Sequence, residues 1–199
     1  MAETSATRSV GRPREFDEDN VLEAAMDAFW NKGYEATSLA DLCDCTGLHK
    51  GSLYQSFGDK HELFMRALHH YSDKEFREVM AVAFDSDSPL QNVRAVVHKV
   101  CESAMDCKGC LVINSMVELS PHDDQVKATV NSFAEKRLRV MQEMIGKARD
   151  AGEIRDDLDP ERLAKQLMVT MAGVAATTKS FLGTEDGVKV LDELIDLWI

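Results

Sequence analysis

Proline is rare in this chain, four in 199 residues, and runs that alternate β-branched or aromatic residues with polar ones are nearly absent. Half-buried strands need that alternation, so a sheet-based fold is excluded. Long apolar runs are missing too. The longest mostly apolar stretch, near 167–176, falls well short of the about 20 residues that a membrane-spanning helix requires. The opening segment MAETSATRSV has no apolar core and so is not a secretory signal. A cytoplasmic protein with no membrane partner is expected. Positive charge is in deficit: the net charge of −12 argues against a protein that grips nucleic acid with its whole surface. Any nucleic-acid contact must therefore be local. The cysteines, Cys43, Cys45, Cys101, Cys107 and Cys110, are odd in number and read as thiols rather than as a disulfide scaffold.

What is present is helical. The chain is 44% apolar, and its apolar residues recur at the spacing of buried helix faces, which predicts an all-α fold of about nine helices. Residues 1–14 read as a flexible basic arm carrying Arg8, Arg12 and Arg14. Asp17 is placed as the N-cap of the first helix and Gly33 as its stop. Thr37 is expected to cap a short second helix that Gly47 ends. Asp59 and Glu62 form a D-x-x-E capping box at the start of a long fourth helix. Pro89 and the pair Asp159-Pro160 open later helices. The organisation expected is an arm over 1–14, one helical unit over 15–62 and a second over 63–199.

The stretch TGLHKGSLYQSF, residues 46–57, could build little core. Two short helices joined by a tight turn at Gly47, braced by the helices before and after, form a helix-turn-helix unit, whose second helix enters the major groove by its N-terminal end. His49, Lys50, Ser52 and Gln55 supply donors and acceptors there. Gly51 allows close approach of the backbone, Tyr54 can give its hydroxyl to a phosphate, and Phe57 is the expected core anchor. Lys60 is placed for a further phosphate contact. Residues 46–60 hold Lys50 and Lys60 against Asp59 alone, so this face is basic although the chain is acidic.

The segments AAMDAFWNKGYEATSLADL and TGLHKGSLYQSFGDKHELF, preceded by GRPREF, resemble the TetR family of bacterial transcriptional regulators. The resemblance covers residues 17–68 closely. His49 stands where Ser or Thr is common, and Ser56 where an aromatic residue or His is common. The family likeness implies an operator-binding unit of three helices, a C-terminal helical domain with a ligand pocket, and a homodimer formed by the last two helices. It places Thr37, Ser38, Tyr54 and Lys60 at phosphates and His49, Lys50, Ser52 and Gln55 in the groove. It implies double-stranded operator DNA and a small-molecule effector as partners, and a repressor rather than an enzyme.

A pocket between the fifth to eighth helices follows from that likeness. Met80, Met105, Met116, Met141, Met144, Met168 and Met171 suit adaptable apolar packing, and His98, Asn114 or Glu118 could orient a mainly apolar effector. Cys107-Lys108-Gly109-Cys110 is a C-x-x-C with Cys101 upstream. A lysine beside a thiol favours thiolate, so redox or electrophile sensing by these cysteines stands as an alternative. An all-α thiol enzyme is a further alternative. No spacing implies a metal or cofactor. Small residues in VTMAGVAATTKSFL and the apolar end LDELIDLWI would leave two exposed faces on a monomer, and a two-fold interface there implies a palindromic operator.

Overall fold

Carboxylates and hydroxyls at the helix starts satisfy backbone N–H groups that the first turn leaves without partners. Asp17 accepts from the Asp19 amide and opens α1 (Glu18–Lys32). Ser38, one residue beyond the expected Thr37, opens α2 (Leu39–Thr46) in a capping box with Asp41. Asp59 and Glu62 form the expected box at the head of α4 (Lys60–Val82). Asp123 caps α7 (Asp124–Asp150), and Asp159 with Pro160 opens α8 (Pro160–Thr177). Between them lie α3 (Lys50–Phe57), α5 (Pro89–Ser103) and α6 (Leu111–Glu118), and α9 (Thr184–Asp196) follows. The structure, a computed structural model, describes residues 16–103, 108–178, 180–181 and 183–199. The all-α expectation holds: the described residues form nine helices. None of them is long and apolar enough to cross a membrane. The arm with Arg8, Arg12 and Arg14, together with Met105 and Cys107, lies outside the described residues.

Two apolar cores organise the helices. The first gathers α1, α2, α3 and the N-terminal half of α4 around Phe29, Leu42, Leu53 and Phe64, and it also takes in Leu111 of α6, Leu119 just after it, and Val126, Val130 and Phe133 of α7. The second gathers α5, α8, α9 and the C-terminal half of α7 around Val93, Met144, Leu167 and Ile195. α4 crosses from one to the other: Leu63, Phe64 and Leu68 sit in the first, while Val79, Met80 and Val82 pack against the second. α7 divides in the same way. The unit formed by α1 to α3 therefore rests on a core that reaches into α6 and α7.

Charged groups hold α1 on α4. Glu18 pairs with Arg66, and Glu23 accepts from His70 Nε2 at 2.9 Å and Lys74 Nζ at 2.5 Å. Acidic residues of the N-terminal unit are thus engaged by the scaffold. His69, a neighbour of His70, sets its ring edge-on against Phe133 at 5.1 Å. His70 is half-buried in its contact with Glu23, while His69 stays exposed to solvent on one side of the Phe133 contact.

Candidate nucleic-acid interface and effector cavity

α3 is built with one apolar side and one polar side. Leu53 and Phe57, four residues apart, are 1% and 3% exposed and seat the helix on the first core. Leu53 shares the anchoring role expected of Phe57 alone, and the i, i+4 spacing of the two is its signal in the sequence. Arg66 of α4 donates to the Ser56 carbonyl at 3.2 Å and lies over the Phe57 ring, so the C-terminal end of α3 is fixed by a cation. The opposite side is open. His49, Lys50, Gly51, Ser52, Tyr54 and Gln55 are all exposed. His49 occupies the N-cap without a side-chain capping bond, so first-turn amides of α3 have no side-chain cap and face outward as donors. Lys50 Nζ stands 5.6 Å from the Tyr54 ring centre, keeping the cation and the phenol together on this side.

The turn between α1 and α2 changes the expected phosphate set. Thr37 is fully buried, and its hydroxyl donates to the Gly33 carbonyl at 2.6 Å and to Ala28 at 3.4 Å. It presents no side-chain group to a phosphate and instead closes the end of α1. Ser38 is exposed and bonded to Asp41 through both its hydroxyl and its amide. Lys60 Nζ leans over the Tyr34 ring at 4.4 Å, 3.4 Å from the Glu35 carbonyl, which leaves ammonium donors at the edge of the same face.

A second feature lies at the seam of the two cores. An apolar, partly open cavity of about 160 Å³ lies between α4 to α8. Val112 and Val130 belong to the first core; Val96, Met141 and Met144 belong to the second. Met116, Met168 and Met171 complete much of the wall. α4, absent from the sequence expectation, contributes Phe76, Val79 and Glu75. Glu75 is 9% exposed and pairs with Arg137 at 2.5 Å, and the same guanidinium donates to Ser72 Oγ at 3.3 Å. This pair is the charged feature of an otherwise hydrocarbon wall.

Of the expected pocket residues, Met116 lines the cavity. His98, Asn114 and Glu118 do not. His98 Nε2 lies 2.9 Å from Asp192, whose carboxylate also accepts from Arg94, and so ties α5 to α9. The Asn114 side-chain amide donates to the Lys108 carbonyl. The Glu118 carboxylate accepts from the backbone amides of Tyr34 and Glu35 at 3.0 and 2.9 Å. Each is taken by a protein partner remote in sequence or in the neighbouring turn.

Of the redox candidates among the described residues, Cys101 and Cys110 are shifted away from thiolate, and Cys107 lies outside them. Burial pushes the Cys110 thiol up from its ordinary value, with Glu75 adding to the rise. Burial pushes Cys101 up to about 11. A sensor thiol needs the opposite shift. Cys110 lines the cavity as a small neutral group, and the four cysteines of the described residues are free. No cluster of three or more His, Cys, Asp or Glu among the described residues could hold a metal.

Two family models cover the chain: the TetR family of bacterial regulatory proteins matches residues 21–67, and a tetracyclin repressor-like C-terminal domain matches 89–189. The transcriptional repressor ComR of Escherichia coli is 30% identical over 195 residues, 96% of this chain and 93% of its own length. The transcriptional repressor DhaR of a Mycobacterium strain is 27% identical over 80% of this chain and 81% of its own. Among solved structures, the TetR-family regulator CifR, a cysteine mutant bound to 26-base-pair operator DNA, superposes with a TM-score of 0.83 at 28% identity, over 95% of this chain and all of that one. The chain carrying this exposed polar helix and this apolar cavity belongs to the TetR family: it is a DNA-binding transcriptional repressor and not an enzyme.

Proposed function

We propose that the chain works in the cytoplasm as a homodimer on a palindromic operator, and leaves it when a small, mainly apolar effector enters the cavity between the two cores. His49, Lys50, Ser52 and Gln55 face the base edges. Gly51 lets the α3 backbone close on the DNA, and Ser38, Tyr54, Lys60 and the uncapped first-turn amides of α3 meet phosphates. The arm with Arg8, Arg12 and Arg14 adds backbone or minor-groove contacts. The dimer forms through α8 and α9.

The observation that carries the effector reading is the position of the cavity. It is walled by side chains from both cores, so a molecule filling it changes how the operator-binding unit rests on the remainder. A volume of about 160 Å³ is comparable to dry apolar cavities of about 150 Å³ that take benzene-sized guests. The effector is accordingly small, with at most one or two polar groups set against Glu75 and Arg137. Its effect is a population shift, limited by its preference for the released state. A cysteine-based switch has less support, because burial keeps the Cys101 and Cys110 thiols protonated.

The test begins with selection of operator sequences by the purified dimer. A palindrome is expected, and its affinity should fall at least tenfold when a small aromatic or branched aliphatic effector is found by screening. Equal affinity with every such compound, combined with loss on mild oxidation, would overturn the cavity reading in favour of the thiols.

A further inference from the structure

α6 is eight residues long and does two things at once. Val112, Ile113 and Met116 stand in the cavity wall, while Glu118, its last residue, reaches the turn between α1 and α2. The amides of Tyr34 and Glu35 follow the end of α1 and donate outside the helix, to the Glu118 side chain. One carboxylate takes both, with Oε2 on Tyr34 and Oε1 on Glu35, across 84 and 83 residues of sequence. Charge-assisted bonds to two successive backbone amides fix both position and direction. The turn is shaped to receive it. Gly33 has φ +81°, and a Cβ there would lie 3.1 and 3.2 Å from the two Glu118 oxygens. The backbone angle favours glycine, and a Cβ would press the carboxylate back by a few tenths of an ångström.

The same turn governs α2 and α3. Thr37 closes it against Gly33, Ser38 caps α2, and Lys60 of α4 leans on Tyr34 and Glu35. Less than two helical turns separate the cavity face of α6 from its carboxylate. A displacement of Ile113 or Met116 has no flexible linker in which to dissipate before it reaches the Tyr34–Glu35 amides.

We propose that Glu118 is the positioning residue through which occupancy of the cavity reaches the operator-binding helices. With the cavity empty, its carboxylate holds the α1–α2 turn, and with it α2 and α3, in the arrangement that fits the operator. Filling the cavity moves α6 and withdraws that hold. This rests on the cavity reading above, and the experiment separates the two.

Ala172→Phe, on the α8 wall of the cavity, serves as a permanent occupant. Operator affinity is measured by fluorescence anisotropy for the wild type, Ala172→Phe, Glu118→Gln and the double variant, each checked for a folded thermal melt. Glu118→Gln keeps the size of the side chain but opposes one amide with another donor. We expect each single variant to weaken binding about tenfold and the double variant to be no more than about twofold weaker than either. Multiplicative losses near a hundredfold would mean that the two act independently and would overturn the proposal. Wild-type affinity in Glu118→Gln would overturn it as well. An unaffected Ala172→Phe beside a weakened Glu118→Gln would remove the cavity reading and leave Glu118 as a positioning residue for the operator-bound form alone. Should Glu118→Gln not fold, Glu118→Asp, which keeps the charge but can reach only one of the amides, replaces it in the same cycle with the same reading.

Discussion

At the scale of single residues, Thr37 and Gly51 separate stability from recognition. Thr37 resembles a surface phosphate contact in sequence, yet its hydroxyl is enclosed and donates to Gly33. Thr37→Val keeps the shape and removes that bond, leaving a helix-end carbonyl short of a partner. The expected cost is about 1–2 kcal/mol in urea denaturation. Operator affinity of the folded protein and its salt dependence should stay near the wild-type values, since no phosphate contact is lost. A reduced salt slope would restore Thr37 to the DNA-binding set. Gly51 behaves in the opposite way. A Cβ built there meets no atom within 4 Å in the free protein. Gly51→Ala should therefore stabilise α3 by about 0.5–1 kcal/mol. If the α3 backbone closes on the DNA as proposed, the same methyl obstructs it, so the melting temperature is expected to rise while operator affinity falls. A variant that is more stable and binds equally well would show that α3 does not approach so closely.

At the scale of elements, helix boundaries were legible wherever a cap names itself locally. Asp17, the Asp59–Glu62 box, Pro89 and Asp159-Pro160 all fall where the residue chemistry places them. Thr37 misled by one position because Thr and Ser are both competent caps, and only burial decides which hydroxyl turns inward. Leu53 was hidden in a short helix made mostly of polar residues. The ties between elements were not legible at all. His98 with Asp192 and Glu118 with the α1–α2 turn join residues more than eighty apart, and no local pattern announces them. The α1–α4 clamp is of this kind and gives a pH signature. Burial alone would raise the Glu23 carboxyl, but hydrogen bonds from Lys74 and His70 outweigh it and hold it below the ordinary value. A carboxyl depressed in the folded state contributes stability that is fully present above its unfolded value, about 4.3, and is lost as pH falls through the folded one. Thermal melts should be nearly level from pH 7 to about 5 in this respect and decline below about 4. Glu23→Gln should melt lower at neutral pH and decline less steeply in acid. Parallel declines would assign the acid sensitivity to other carboxylates.

At the scale of the whole molecule, an acidic protein binds an acidic polymer, so recognition has to be concentrated and repeated. One α3 offers few cations, and a single copy would hold a half-site weakly under the repulsion of the remaining surface. Pairing two copies makes the second half-site contact intramolecular, which raises affinity without any new cation. The exposed apolar residues lie where such pairing would use them. Val169 and Phe181 are 73% and 80% exposed at α8 and just beyond it, and Leu197 and Ile199 are 70% and 66% exposed after α9. Val169, Gly173 and Ala176 follow one another at i, i+4 and i+7 along the exposed side of α8, a stripe narrow enough for a second helix to lie close. Introducing charge at this face, as Val169→Glu with Phe181→Glu, should convert the proposed dimer to a folded monomer in sedimentation velocity. The thermal melt should change little, because both side chains are exposed in the single chain. Operator affinity is then expected to fall by at least a hundredfold. A single half-site duplex should lose almost nothing, since the contacts of one α3 are untouched. A variant that remained dimeric would place the interface on another face. A monomer that kept full affinity would mean that one copy suffices, and the argument from charge would fail with it.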